Sequence, residues 1–151
     1  MTRLKINNPK IFLLTISLIV YVISLTQTAI SSNELEDKSL SGIACLVMGG
    51  LAILGGGILE WIIWLANPLY FLSIVLLYNS NNMAKIFSSL ATVIALSFTA
   101  WKEILLSESG RNGKIDSLDF GYWLWVLSLT ILTIGIFYIS KKSVKQYKHS
   151  A

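Results

Sequence analysis

The chain is short of nearly everything from which a soluble active site is made. Its 151 residues include one cysteine, one histidine and two prolines, and charged side chains amount to 13%. A single cysteine, Cys45, excludes a disulfide scaffold. With His149 in a basic tail and Cys45 inside an apolar run, no two histidine, cysteine or carboxylate ligands stand at helical spacing within any apolar stretch. An intramembrane metalloprotease, a haem carrier and a thiol oxidoreductase therefore have no ligand set. Serine-based hydrolysis within such a stretch lacks a histidine base, and an aspartyl mechanism lacks its two aspartates. The glycines are embedded in an apolar run rather than placed after a strand, where a phosphate loop needs them. These absences predict no enzyme, no metal, no cofactor and no nucleic-acid partner.

What the chain has is apolar length. Hydrophobic residues make up 54% and mean hydropathy is +0.67, values foreign to a soluble domain. Asp, Glu, Lys and Arg all avoid residues 11–30, 39–59, 61–78, 86–101 and 120–140. A helix needs about 20 mostly apolar residues to cross roughly 30 Å of hydrocarbon, so all but the fourth run are long enough or nearly so. The fourth can extend over its flanks, because Lys85 and Lys102 can snorkel and residues 104–106 stay apolar. No run alternates strictly between apolar and polar residues, which excludes barrel strands. The expectation is an all-α, polytopic helical membrane bundle, a single domain over residues 1–151 with hydrophobic segments at about 11–30, 39–59, 61–78, 83–106 and 120–140. The first segment has basic residues before it like a secretory signal, but is longer than the about 7–15 residues of an h-region, so it reads as an uncleaved helix. In the linker 102–119, Ser107, Gly110, Asn112 and Gly113 read as a turn.

Basic residues stay on the cytoplasmic side, which allows the topologies to be scored. Five crossings divide the twelve Lys and Arg residues evenly, six to each side. If residues 39–78 make only one net crossing, eight lie inside and four outside, with both termini cytoplasmic. Four crossings are therefore preferred. The surplus length in 39–78 then requires a break, and Asn67-Pro68 is the obvious place, since proline removes a helix donor and pushes its predecessor out of the α region. On this reading a crossing helix runs from about 40 to 66, its inner end marked by Trp61 and Trp64, and a short helix follows from 68 to 78. A tight hairpin near residues 55–57 is the alternative, with five crossings.

Small residues let helices approach in lipid, where hydrophobic drive between them is weak. Ala84, Ser88, Ala91, Ala95 and Thr99 form one helical stripe, and Ala52 and Gly56 form a small-xxx-small pair beside four further glycines. The expectation is that these two helices pack on each other or on a partner subunit; a glycine-lined permeation path is the competing reading. Phe120, Tyr122, Trp123 and Trp125 at one end of the last segment, with Phe137 and Tyr138 at the other, read as an interfacial belt. The basic tail after Ser140 reads as an anchor to anionic lipid.

Glu60 is the one ionisable residue inside the central apolar block, with Trp61 and Trp64 beside it. Such a carboxylate is a site candidate by default. The four-crossing topology sets it at the inner interface between two belt tryptophans, where it costs little. Buried, it would suit exchange of a proton for a lipophilic cation, and in that one residue the chain is similar to the small multidrug antiporters. Packing faces with few polar groups favour a non-enzymatic membrane protein that works by protein contacts, in an accessory, assembly or immunity-type role. A small carrier or channel using Glu60 is the alternative, and a lysis-type pore former the next. The partners implied are the lipid bilayer and either a partner membrane protein or a second copy of the chain. Short loops and abundant Ile, Leu, Lys and Asn suggest a bacterial cytoplasmic membrane.

Overall fold

The computed structural model describes residues 9–35, 37–105 and 111–149. In chain order the elements are α1 (Pro9–Thr26), β1 (Thr28–Ser31), β2 (Ser39–Ser41), α2 (Gly42–Leu51), α3 (Ile58–Trp64), α4 (Ala66–Tyr78), α5 (Met83–Ser97), β3 (Glu103–Leu105), β4 (Asn112–Lys114), β5 (Ser117–Leu118) and α6 (Phe120–His149). Single 3-10 turns extend α2 over Ala52–Gly55 and α5 over Phe98–Ala100. Four helices are long and apolar enough to cross a membrane: Pro9–Thr26, Ile58–Tyr78, Met83–Ala100 and Phe120–Lys141. Helix Gly42–Gly55 is apolar but shorter.

The chain is mostly helical but not all-α. Polar ends of three expected helical segments are drawn into strands. After Thr26, β1 pairs antiparallel with β2 and with β5, and β3 pairs with β4. Residues 103–105, expected to extend the fourth helix, instead form β3, with buried Ile104 opposite Gly113. Of the turn expected in the linker, Asn112 and Gly113 lie in β4, while Ser107 and Gly110 fall outside the described residues, as does Leu106. All five strands gather at one end of the bundle, tied together by bonds such as Ile115 N–H to the Lys102 carbonyl (2.8 Å) and Asp116 N–H to the Ser31 carbonyl (2.9 Å).

The break in the 39–78 stretch is not at proline. Pro68 lies within the first turn of α4 and has no N–H to give the Trp64 carbonyl, but the Asn67 side-chain amide donates to that carbonyl instead at 2.9 Å. Helices α3 and α4 therefore run on as one span, joined at Leu65. The chain reverses at residues 55–57, where Gly56 takes φ +85°, a left-handed conformation that favours glycine. The long apolar helix is thus 58–78 and the short helix precedes it, the reverse of the expected order. Because α2 begins at β2 and α3 begins beside β3, this hairpin enters and leaves at the strand end. It adds no helix long enough to cross a membrane.

The interior is an apolar core threaded by small polar side chains, and the outside is apolar as well. The buried residues of α1 are Ser17, Tyr21 and Ser24, while Phe12, Ile19 and Val22 are exposed. Helix α1 packs along α6, α4 along α5, and α5 along α6. At the end away from the strands, the Lys10 ammonium donates to Ser80 Oγ at 2.7 Å in the α4–α5 turn, and Gly135 of α6 leaves room for Leu13 of α1. The start of α1 and the later turns of α6 therefore share one end of the bundle, opposite the strands.

Candidate functional site

Between the α2–α3 hairpin and the strand end of α1, α5 and α6 lies a cavity of about 670 Å³. Its wall on one side is α2, started by Ser41, whose hydroxyl accepts the Ala44 N–H at 3.3 Å. Gly49 and Gly50 turn their bare backbones to the Trp64 ring, and any side chain there would stand 3.1 Å from it. The indole N–H of Trp64 donates to the Leu46 carbonyl at 2.7 Å. These contacts hold the hairpin closed on itself, not against α5.

The opposite wall is one face of the α3–α4 span. Glu60, Ile63, Trp64 and Asn67 follow at helical spacing and all line the cavity. Asn67 is its floor. Its side-chain carbonyl accepts from the Tyr21 hydroxyl and from the Trp125 indole N–H, each at 2.9 Å, so one amide joins three helices. Below it the Tyr21 and Tyr70 rings stack at 5.0 Å, and Ser17 Oγ bonds the Tyr70 hydroxyl at 2.7 Å and donates to the Ser128 carbonyl at 2.9 Å. This polar ladder closes the bundle beneath the cavity.

Glu60 stands at the strand end, not at the end that holds Lys10. Its Oε1 accepts the Leu105 N–H of β3 at 2.9 Å, and its Oε2 lies over Gly57. It is half-buried, and among the described residues it is the only charged side chain in the cavity lining, with no lysine or arginine beside it there. Of the three candidate residues, Glu60 and Trp64 line the cavity, and Trp61, half-buried, does not.

The expected packing stripe divides. Ala84, Ser88, Ala91 and Ala95 are buried against α4 and α6, but Thr99 is exposed because the 3-10 turn brings Phe98 inward in its place. Gly56 is exposed at the hairpin tip, so it serves a turn, and Ala52 meets Gly57 of the same hairpin. The second segment thus packs on α3 and α1 rather than on α5. The aromatic belt divides too. Phe120 and Trp123 face outward, whereas Tyr122 is buried with its hydroxyl on the Ala95 carbonyl at 2.8 Å, and Trp125 reaches Asn67.

Sequence reasoning missed Tyr21, Asn67, Tyr70 and Trp125. The signal was there in Ser17, Tyr21 and Ser24, spaced by four and three, and in Asn67, Tyr70 and Ser73, spaced by threes, each a polar stripe on an otherwise apolar helix. Among the described residues no cluster of His, Cys, Asp and Glu is arranged to hold a metal. No protein-family model, curated protein sequence or solved structure matches the chain.

Proposed function

We propose that the chain is a non-enzymatic multipass membrane protein that acts by binding, and that the cavity beneath the glycine hairpin is its working site. One observation carries this reading: a cavity of about 670 Å³ in a small bundle, lined almost wholly by apolar and aromatic side chains. Ligand sites typically enclose about 300–1,000 Å³ and are apolar with a few placed polar groups. The apolar exterior, with hydrogen-bonded small polar groups set into the core, supports a bilayer setting. By sequence, eight of the twelve Lys and Arg residues lie before or at the start of α1, at the start of α5 or after position 140, against four among the strands, which favours the end away from the strands as the cytoplasmic one, in a bacterial inner membrane. The cavity then opens at the level of the outer leaflet, where a lipid-like molecule or the apolar part of a partner can enter. Holding such a molecule without turning it over suits an accessory, assembly or immunity-type role.

A Glu60-dependent carrier is the weaker reading, since transport needs access from both sides and the hydrogen-bonded Asn67 floor stands between. The test is the lipid content of the purified chain. Wild type extracted in mild detergent should carry about one apolar molecule per chain, and Cys45→Phe, which adds bulk to the lining, should lose it. Empty wild-type protein, or equal content in both, contradicts the reading.

A further inference from the structure

Resting on that binding reading, we infer that the cavity selects an amphiphile with a cationic amine head, which sits between the Glu60 carboxylate and the surrounding aromatic rings while its apolar chain fills the space toward α2. Charge is the first argument. A half-buried carboxylate facing an apolar space costs free energy unless something offsets it, and among the described residues the lining contains no basic side chain to do so. The single Leu105 N–H bond engages Oε1 only, and no described residue donates a hydrogen bond to Oε2. A carboxylate oxygen accepts more than one donor, and an ammonium head supplies three.

The second argument is the ring set. Trp64 stands one helical turn from Glu60 on the same face, and Tyr122, Trp125 and Phe98 line the same cavity. Aromatic faces attract cations, most strongly where water is excluded. A carboxylate head, or a phosphate head that carries no amine, is repelled by Glu60 in this place, and a neutral alcohol gains the hydrogen bond without the charge. The source of the amine, a membrane lipid headgroup or a free lipophilic amine, is left to the experiment because both offer the same chemistry.

The experiment uses the full chain in non-ionic detergent and compares dodecylamine, dodecanol and dodecanoate, reading affinity by thermal stabilisation and stoichiometry by native mass spectrometry. In wild type the amine should bind one per chain and about tenfold tighter than the alcohol, the size of one charge-assisted hydrogen bond, with dodecanoate weakest. Glu60→Gln keeps an acceptor for the Leu105 N–H, so its dodecanol affinity should match wild type while the amine preference falls to within about twofold. Equal affinities for all three probes in wild type, or an amine preference that survives Glu60→Gln, overturns the inference but leaves the cavity reading standing. Probe binding that Cys45→Phe does not weaken overturns both. Adding phosphatidylethanolamine and phosphatidylglycerol micelles separates the sources: competition by the former alone assigns a lipid headgroup, and competition by neither assigns a free amine.

Discussion

Asn67 is the residue on which the interior depends most. It receives the Tyr21 hydroxyl and the Trp125 indole and donates to the carbonyl that Pro68 leaves unpaired, so one side chain joins α1, α4 and α6 and repairs a helix. Hydrogen bonds between membrane helices are individually worth about 0.6 kcal/mol, up to roughly 1.7. Asn67→Ala loses three at once and should destabilise the chain by about 2 kcal/mol in a denaturant titration in mixed micelles; an unchanged midpoint would deny Asn67 this role. Gly121 makes a second prediction. A methyl there would come 2.7 Å from the Gln27 and Thr28 carbonyls, which are backbone, whereas at Gly135 the nearest atoms all belong to the Leu13 side chain, which can turn to another rotamer. Gly121→Ala should therefore cost more than Gly135→Ala, by about 1–3 kcal/mol on the same assay. The sequence made Asn67-Pro68 conspicuous for the right chemistry and the wrong outcome. Proline does remove a helix bond, but its neighbour's amide can replace it, and that compensation depends on a rotamer rather than on residue type.

At the scale of elements, the α5 stripe and the glycine hairpin differ in how far the sequence revealed them. Burial of Ala84, Ser88, Ala91 and Ala95 follows from spacing alone, since residues three and four apart share a helix face whatever packs on it. Which helix they meet does not follow, and neither does the 3-10 turn that exposes Thr99. Ala91→Leu should destabilise by about 1–3 kcal/mol through overpacking, while Thr99→Leu should stay within about 0.5 kcal/mol, both read from thermal unfolding in detergent. The hairpin was harder to read because apolarity carries no direction. The runs before and after Gly56 are equally hydrophobic, and only the left-handed backbone at that residue and the fit of Trp64 over Gly49 and Gly50 decide that the chain turns back. Gly50→Leu should push Trp64 off α2, break its bond to the Leu46 carbonyl and red-shift tryptophan emission. Unshifted emission would mean that the indole does not depend on the bare glycine backbone.

Over the whole molecule, charge follows architecture. Every described aspartate and glutamate lies at the strand end: Glu34, Asp37, Glu60, Glu103, Asp116 and Asp119. Several are structural. Asp119 takes the Ser31 hydroxyl, Asp116 the Asn33 N–H at 2.7 Å, and Glu34 the Lys114 N–H at 3.2 Å, so the carboxylates bind the loops into a cap. Basic-residue counting favoured the four-span count because lysines and arginines are unevenly shared between the two ends, a property of sequence. The same counting put Glu60 at the end that holds Lys10, whereas it lies beside β3 at the other end, because that inference required the position of the break as well. Residues 42–64 form a hairpin on the strand side, which puts the cavity and Glu60 across the bundle from the α4–α5 turn. Glu60→Cys and Asn81→Cys, each on a Cys45→Ser background and labelled in sealed vesicles with a membrane-impermeant maleimide, test this most directly. The two positions should label from opposite faces, with position 60 protected by dodecanol, which does not depend on the carboxylate. Labelling of both from the same face would contradict that placement.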